Sequence, residues 1–278
     1  MNRTLNPDVV GVRLPVQPTT AMAVVRLVDR PDASASRIAR LVEFDPAMSA
    51  TVLRLANAPH LGLGRRVTSA RQAVVLLGSK SVGSLAASGT ASLVFGTTDA
   101  DAPEGFWAHA VTTAIAGANL ARRIGGPADE LFSLGLLHDL GSLLLHQRDP
   151  HRYATVSEEA AARPRRAHVC ELERTAFGTD HVQLGADLID RWNLPERFVN
   201  AVRLHHIPSP DVLPDTTSRL LAAAHALAST LDDRTLRERE LDPVDALALL
   251  DLHERPSAVL TDIEREVHAA ATFLRDLR

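Results

Sequence analysis

Residues 136–146 read LLHDLGSLLLH, a His-Asp pair set inside an otherwise apolar run, with glycine two places after the aspartate. An ionisable pair in such a run is costly to bury without partners. His138 and Asp139 therefore mark a polar site, either one that holds a metal ion or a hydrogen-bonded pair that pins two helices. The leucines on either side recur at helical spacing, and the same periodicity continues outward in both directions.

Upstream, the punctuation is that of helices. Thr20 is expected to cap a first helix carrying Met22, Val25 and Leu27. Ser34 or Ser36 caps the next, with Ile38, Leu41 and Val42 on one face. Asp45-Pro46 is a strong start, because Asp caps and Pro fits the first turn, where its missing N–H costs nothing. That helix runs through TVLRLANA and stops near Pro59. Gly62 and Gly64 mark a loop, Ser69 opens a helix that Gly78 ends, and another covers 80–94. The turn-rich acidic stretch TTDADAPEG (97–105) is the expected boundary between an N-terminal helical lobe, residues 1–100, and a second helical lobe, residues 101–278.

Downstream, helices are expected from Phe106 to about Ile124, at 128–138, 140–147, 151–162 and 167–177, from Asp180, from Pro195, at 217–231, from Asp242-Pro243, and from about Ser257. The last places Leu260, Ile263, Val267, Ala270, Leu274 and Leu277 on one seam, suited to packing on the chain's own bundle. No run alternates as a half-buried strand does, so the expected fold is all-α, a multi-helix bundle of two lobes.

Composition narrows the function classes. Hydrophobic residues make up 45% and charged residues 23%, ordinary for a soluble globular chain. No apolar run reaches the roughly 18–20 residues that span a bilayer. The N-terminus lacks the apolar core of a signal peptide, and the single Cys170 excludes an internal disulfide. A cytoplasmic location is the expectation, with Cys170 a buried spare thiol. Residues 1–100 carry 11 Lys and Arg against 6 Asp and Glu, while the whole chain has net charge −4. Arg65, Arg66, Arg71 and Lys80 could meet phosphate, but no aromatic platform accompanies them, which argues against nucleic acid as a partner.

Of 12 histidines, several fall where metal chemistry would want them. His109 lies on the long helix, His181 opens a helix, His205 and His206 end one, and His225 sits mid-helix in AHALA. Imidazole nitrogens bind transition metals, and Asp139 supplies an anionic oxygen able to bridge two ions. Taken singly, His109 and His225 read as ordinary core or boundary residues, and His205-His206 as a pair at a helix C-terminus. His60, His146, His151, His168, His253 and His268 lie in polar or loop contexts and receive no role.

His109, GLLHDLG at 135–141, Asp180-His181-x-x-x-Gly185, WNLPERF at 192–198 and AVRLHH at 201–206 together resemble the HDOD domain. That family is an offshoot of the HD-domain metal-dependent phosphohydrolases found in bacterial signalling proteins. RIARLVEFDPAMSATVLRLAN (37–57) and RRVTSARQAVVLLG (65–78) look like its N-terminal helical region, so the resemblance covers about residues 15–230. It implies an all-α fold and a regulatory, non-catalytic module that works through a signalling protein partner or a small nucleotide ligand. The alternative it implies is a metal-dependent phosphohydrolase acting on a nucleotide or phosphoester. In that case Fe, Mn, Zn or Ni would be held by His109, His138, Asp139, His181, His205 and His206, with Asp139 at the centre of catalysis. Two positions depart from the related phosphohydrolases. Ser142 stands where they commonly have Lys, and His225 stands where they often have an acidic ligand. The Gly-Tyr-Pro signature of the cyclic di-GMP phosphodiesterases is also missing after His205-His206, where Ile207-Pro208-Ser209-Pro210 follow. These departures imply chemistry that has been reduced or lost.

Overall fold

The computed structural model describes residues 14, 16–28, 30, 34–62, 66–94, 102–162, 169–207, 209, 211–232 and 241–275. Among them every regular element is helical. The first five α-helices are α1 (Pro18–Val28), α2 (Ala35–Val42), α3 (Pro46–Ala56), α4 (Ala70–Leu77) and α5 (Ser79–Val94). The next five are α6 (Phe106–Arg123), α7 (Ala128–Leu137), α8 (Leu140–Arg148), α9 (Pro150–Ala162) and α10 (Val169–Phe177). The chain continues with α11 (His181–Arg191), α12 (Glu196–Leu204), α13 (Thr216–Leu231), α14 (Pro243–Ala248) and α15 (Pro256–Arg275).

The caps explain most of these boundaries. Ser34, Asp45, Ser69, Asp180, Asp215 and Asp242 each accept a hydrogen bond from a backbone N–H in the first turn of the helix they precede. Each thereby satisfies a donor that has no partner within the helix. Asp45 also accepts from the Gln17 N–H at 2.7 Å, which ties the approach to α1 to the start of α3. One expected cap differs: α1 begins at Pro18, so Thr20 lies inside the helix and is buried. Proline at a first helical position has its φ preset for a helix and no N–H of its own to satisfy, which starts the helix earlier, at Pro18.

Helices α1–α5 pack on one another, and α3 and α4 reach α7 across to the second group. The Ser133 hydroxyl accepts from the Ala70 N–H at 3.0 Å, and Arg71 of α4 reaches Glu43 at 2.8 Å and Asp129 of α7 at 3.7 Å. Asn57 closes the loop after α3 by bonding the backbone of Leu53 and both backbone groups of Val67. A single apolar core runs from Val24 and Leu53 through Leu131, Leu137 and Leu140 to Phe198, Leu221 and Ile263. The expected boundary at 97–105 falls partly outside the described residues, at 97–101, and so do Gly64, Arg65, His168 and Leu277. Helix α15 lies on α6, α13 and α14, with Ile263 and Ala270 of its seam buried. Arg122 and Arg123 of α6 bind Glu266, Glu254 and Asp262 along that contact.

Two glycines of the opening motif set the central crossings. A Cβ on Gly135 would come 2.6 Å from Ala114 Cα, so α7 lies backbone-to-backbone on α6. A Cβ on Gly141 would come 1.9 Å from the His181 carbonyl oxygen, so α8 lies equally close to the start of α11. Neither neighbour is a flexible side chain that could swing aside. Gly141→Ala and Gly135→Ala should each destabilise the protein by about 1–3 kcal/mol or more, the scale of overpacking. By contrast Ala128→Ser, on a half-buried helix start, should have little effect. Chemical denaturation of the three variants checks this.

A candidate metal centre of six histidines and one aspartate

The chain leaves α7 at His138 and enters α8 at Asp139, so the pair sits on a helix junction rather than within a helix. His138 is fully buried, and its Nδ1 donates to the Gly135 carbonyl at 2.7 Å. A carbonyl can only accept, so the proton is on Nδ1 and the lone pair of Nε2 points inward. His205 repeats the arrangement at the end of α12: Nδ1 donates to the Val202 carbonyl at 2.7 Å, and the buried Nε2 has no protein partner. His181, the first residue of α11, uses Nδ1 to bind Glu173 of α10 at 2.6 Å, while its backbone N–H donates to the same carboxylate oxygen at 2.9 Å.

These inward nitrogens converge. His181 Nε2 lies 2.9 Å from His206 Nε2 and 3.5 Å from an Asp139 oxygen. The same Asp139 oxygen accepts from the Ser142 hydroxyl at 3.1 Å. His225 Nδ1 lies 3.3 Å from His109 Nε2 and 3.3 Å from His138 Nε2. All the residues proposed from sequence, His109, His138, Asp139, His181, His205 and His206, thus meet at one place, drawn from α6, the α7–α8 junction, α11 and the end of α12. Two residues join them that the sequence reading left out of the ligand set. His225 comes from α13; its AHALA context matches the place of an acidic ligand in the related phosphohydrolases, and the structure brings it to the centre as a histidine. Glu173 stands behind His181, and its only signal was an acidic residue on a helix face that burial makes costly unless paired. Cys170 is buried on the same helix as Glu173, near His181 and His206. His146 was assigned no role, and its ring packs on Tyr153 at the rim of the cleft.

Burial lowers His138 from its ordinary value of 6.5 to about 4, against the pull of Asp139. It likewise holds His205 and His225 well below that value and lowers His109. Burial alone would push His181 down as well, but the Glu173 carboxylate overrides it and raises this group. Burial would raise Asp139, yet the surrounding histidines, His181 first, hold it well below the usual carboxylate range. At neutral pH His109, His138, His205 and His225 are therefore neutral, beside a protonated His181 and an ionised Asp139.

That donor set fits a metal ion. His138 Nε2 carries a lone pair, and a single proton on His225 Nδ1 could serve only one of its two nitrogen neighbours at 3.3 Å. Lone pairs facing lone pairs in a buried place are unfavourable without a cation between them. Imidazoles fixed through their outer nitrogen by a carbonyl or carboxylate are the usual support of metal ligands. Ligand atoms of His109, His138 and His225, of His138, Asp139 and His205, and of His205, His206 and His225 each lie within 4.8 Å of one another. A cleft of about 450 Å³ opens onto the centre. Asp139, Glu173, His181 and His206 line its floor, and Glu104, Glu158 and Asp232 stand along its sides. Among the described residues, no Lys or Arg lines it.

The HDOD domain model matches residues 14–208. The chain belongs to the HDOD domain family. An uncharacterised protein of Treponema pallidum (strain Nichols) is 30% identical over 195 residues, which are 69% of this chain and 37% of that relative. The HDOD chain thus spans little more than a third of the length of that relative. The MmoQ response regulator of Methylococcus capsulatus str. Bath is 29% identical with a TM-score of 0.65, covering 87% of this chain and 99% of that one. A virulence factor of Campylobacter jejuni subsp. jejuni shares the fold at 20% identity and a TM-score of 0.65, covering 93% and 97% of the two chains. Among the described residues of this HDOD protein, no helix is long and apolar enough to cross a membrane.

The neutral imidazoles make stability pH-dependent. A histidine whose folded-state pKa is depressed contributes stability that is present above its unfolded value and is lost as pH falls toward the folded value. His138 places that window between 6.5 and about 4. His109, His205 and His225 shift in the same direction. His181, shifted the other way, is protonated in both states throughout this window and does not offset them. The melting temperature of chelator-treated protein should therefore fall steeply from pH 6.5 to 4, and less steeply in His205→Gln. Thermal unfolding in a pH series checks both.

Proposed function

We propose that this protein is a regulatory HDOD module of bacterial, cytoplasmic signalling that holds a transition metal at the His-Asp centre and acts by binding a partner protein rather than by turnover. In this reading the N-terminal helical lobe, residues 1–100, and the HD-like lobe, residues 101–278, work as one output unit. The observation that carries it is the pairing of a pinned imidazole set with an acidic cleft. His109, His138, Asp139, His181, His205 and His206, joined by His225, would hold the metal. A bound metal would supply Lewis acidity and lower the pKa of a water. Phosphoryl transfer also requires positive groups that neutralise charge on the phosphate oxygens. Here Ser142 occupies the lysine place, and the described walls of the cleft bear Glu104, Glu158 and Asp232. Those carboxylates repel an anionic phosphoester.

A groove between the lobes supports partner binding. It has a volume of about 320 Å³ and is lined by Arg66, Thr68, Gln72, Glu130, Pro195 and Arg197. It joins the basic first lobe to the second, and Arg197 is held there by Glu130 at 2.8 Å. The resemblance to a response regulator agrees with a role in signalling.

A metal-dependent phosphohydrolase of HD type is the second reading. It is favoured by one feature: Asp139, His181 and His206 line the open cleft, so a small substrate can reach the centre.

Untagged protein purified without chelator should contain about one or more equivalents of Fe, Mn, Zn or Ni. His138→Ala should lose them in elemental analysis. Glu173→Gln, which removes the carboxylate that orients His181, should weaken metal affinity by about 10–100-fold. Cyclic di-GMP and bis(p-nitrophenyl) phosphate should not be turned over. Metal-dependent hydrolysis that disappears in Asp139→Ala would replace this reading with the second. Metal-free wild-type protein that also takes up no added metal would leave His138-Asp139 as a structural pair.

A further inference from the structure

We infer that His109, His138 and His225 form a three-histidine metal position that selects Zn²⁺ over Mn²⁺ and Mg²⁺, with His225 the residue that sets the preference. The inference rests on the metal-centre reading above and goes beyond it by naming the ion and the residue that chooses it.

The three side chains come from three separate helices, α6, the end of α7, and α13. Two of the three nitrogen separations are 3.3 Å, His225 Nδ1 to His109 Nε2 and to His138 Nε2. The third lies within 4.8 Å. Zinc-to-nitrogen bonds of about 2.0–2.1 Å in a tetrahedron place two ligand nitrogens about 3.3–3.4 Å apart. The two 3.3 Å edges therefore match a tetrahedral ion more closely than an octahedral one. The ring centroids of the trio are spaced at 5.1, 5.3 and 5.3 Å, and no two rings lie parallel and stacked. Edge-on rings with converging nitrogens are what shared ligation needs, whereas packing alone would not turn nitrogens toward one another.

The ligand chemistry then chooses the ion. Imidazole suits Zn, Cu, Fe and Ni, while Mg and Mn favour carboxylate, carbonyl and water oxygens. At fixed ligands, affinity rises along the series from Mn²⁺ toward Cu²⁺. The Asp139 carboxylate accepts from Ser142, lies 3.5 Å from His181, and has its ligand oxygen within 4.8 Å of the ligand nitrogens of His138 and His205. Among the described residues it is the single carboxylate within reach of the three nitrogens, so the donor set stays rich in nitrogen. An aspartate at 225 would add a second carboxylate, along with a negative charge, and would move the balance toward harder ions.

The test uses chelator-stripped full-length protein, with Co²⁺ as a spectroscopic stand-in for Zn²⁺. Wild type, His225→Gln and His225→Asp are titrated with Co²⁺ and then challenged with Zn²⁺ and Mn²⁺. Bound metal is read by elemental analysis, and far-UV circular dichroism confirms that each variant is folded. Wild type should give the intense visible absorption of tetrahedral Co²⁺, and Zn²⁺ but not Mn²⁺ should abolish it. His225→Gln should lose that band and weaken Zn²⁺ binding at least about tenfold, the lower end of the losses seen even for outer-lying partners. His225→Asp should improve the Mn²⁺-to-Zn²⁺ preference by about tenfold or more. Retention of the wild-type spectrum and preference in folded His225→Gln would overturn the inference and leave the metal-centre reading standing. Wild-type protein that binds none of the three ions would overturn both.

Discussion

At Gly141 the backbone of α8 lies so close to the His181 carbonyl that a methyl group has no room, and at Gly135 the backbone of α7 meets α6 in the same way. These two crossings flank His138 and Asp139 and fix them against two other helices, α6 and α11. Close approach of the backbones brings the nitrogen of a short side chain on one helix within reach of its counterpart on the next. Had larger residues held these helices apart, the imidazoles of His109, His138 and His181 could not converge. The convergence of these side chains thus depends on packing between backbones before it depends on any ligand.

Burial and fixed hydrogen bonds then decide the charge of the centre. His138 and His205 are each held by a carbonyl three residues earlier, so their inner nitrogens carry lone pairs. His181 is held by a buried carboxylate instead, and it is the one imidazole of the group whose pKa rises. This asymmetry gives the centre two electrostatic halves. The imidazoles of His109, His138 and His225 are held neutral by burial, whereas His181 is held protonated beside Glu173.

The cleft above the centre extends the same logic to function. Its described walls are acidic and aromatic, with Glu104, Glu158, Phe106 and Tyr153 among them. A surface of that character suits a cationic or protein partner better than a phosphate. The groove lined by Gln72 of α4, Glu130 of α7 and Arg197 of α12 carries two arginines instead, Arg66 and Arg197.

Sequence by itself determined the helices. Ser34, Asp45, Ser69, Asp180 and Asp242 act within three residues of themselves, so their capping is a local property. Thr20 was the exception, because Pro18, with its φ preset for a helix, starts α1 earlier. Sequence also marked six of the site residues, since their order along the chain follows a family pattern. For His225 the family pattern marked the position but suggested a lost ligand, and only the packing of α13 on α6 brought its nitrogen to the centre; tertiary structure alone decided that Glu173 supports His181. Taken singly, His225 reads as a boundary histidine until α13 is laid against α6, and Glu173 lies eight residues before His181 on a different helix. Both roles arise from distances between helices, which no periodicity along one helix encodes.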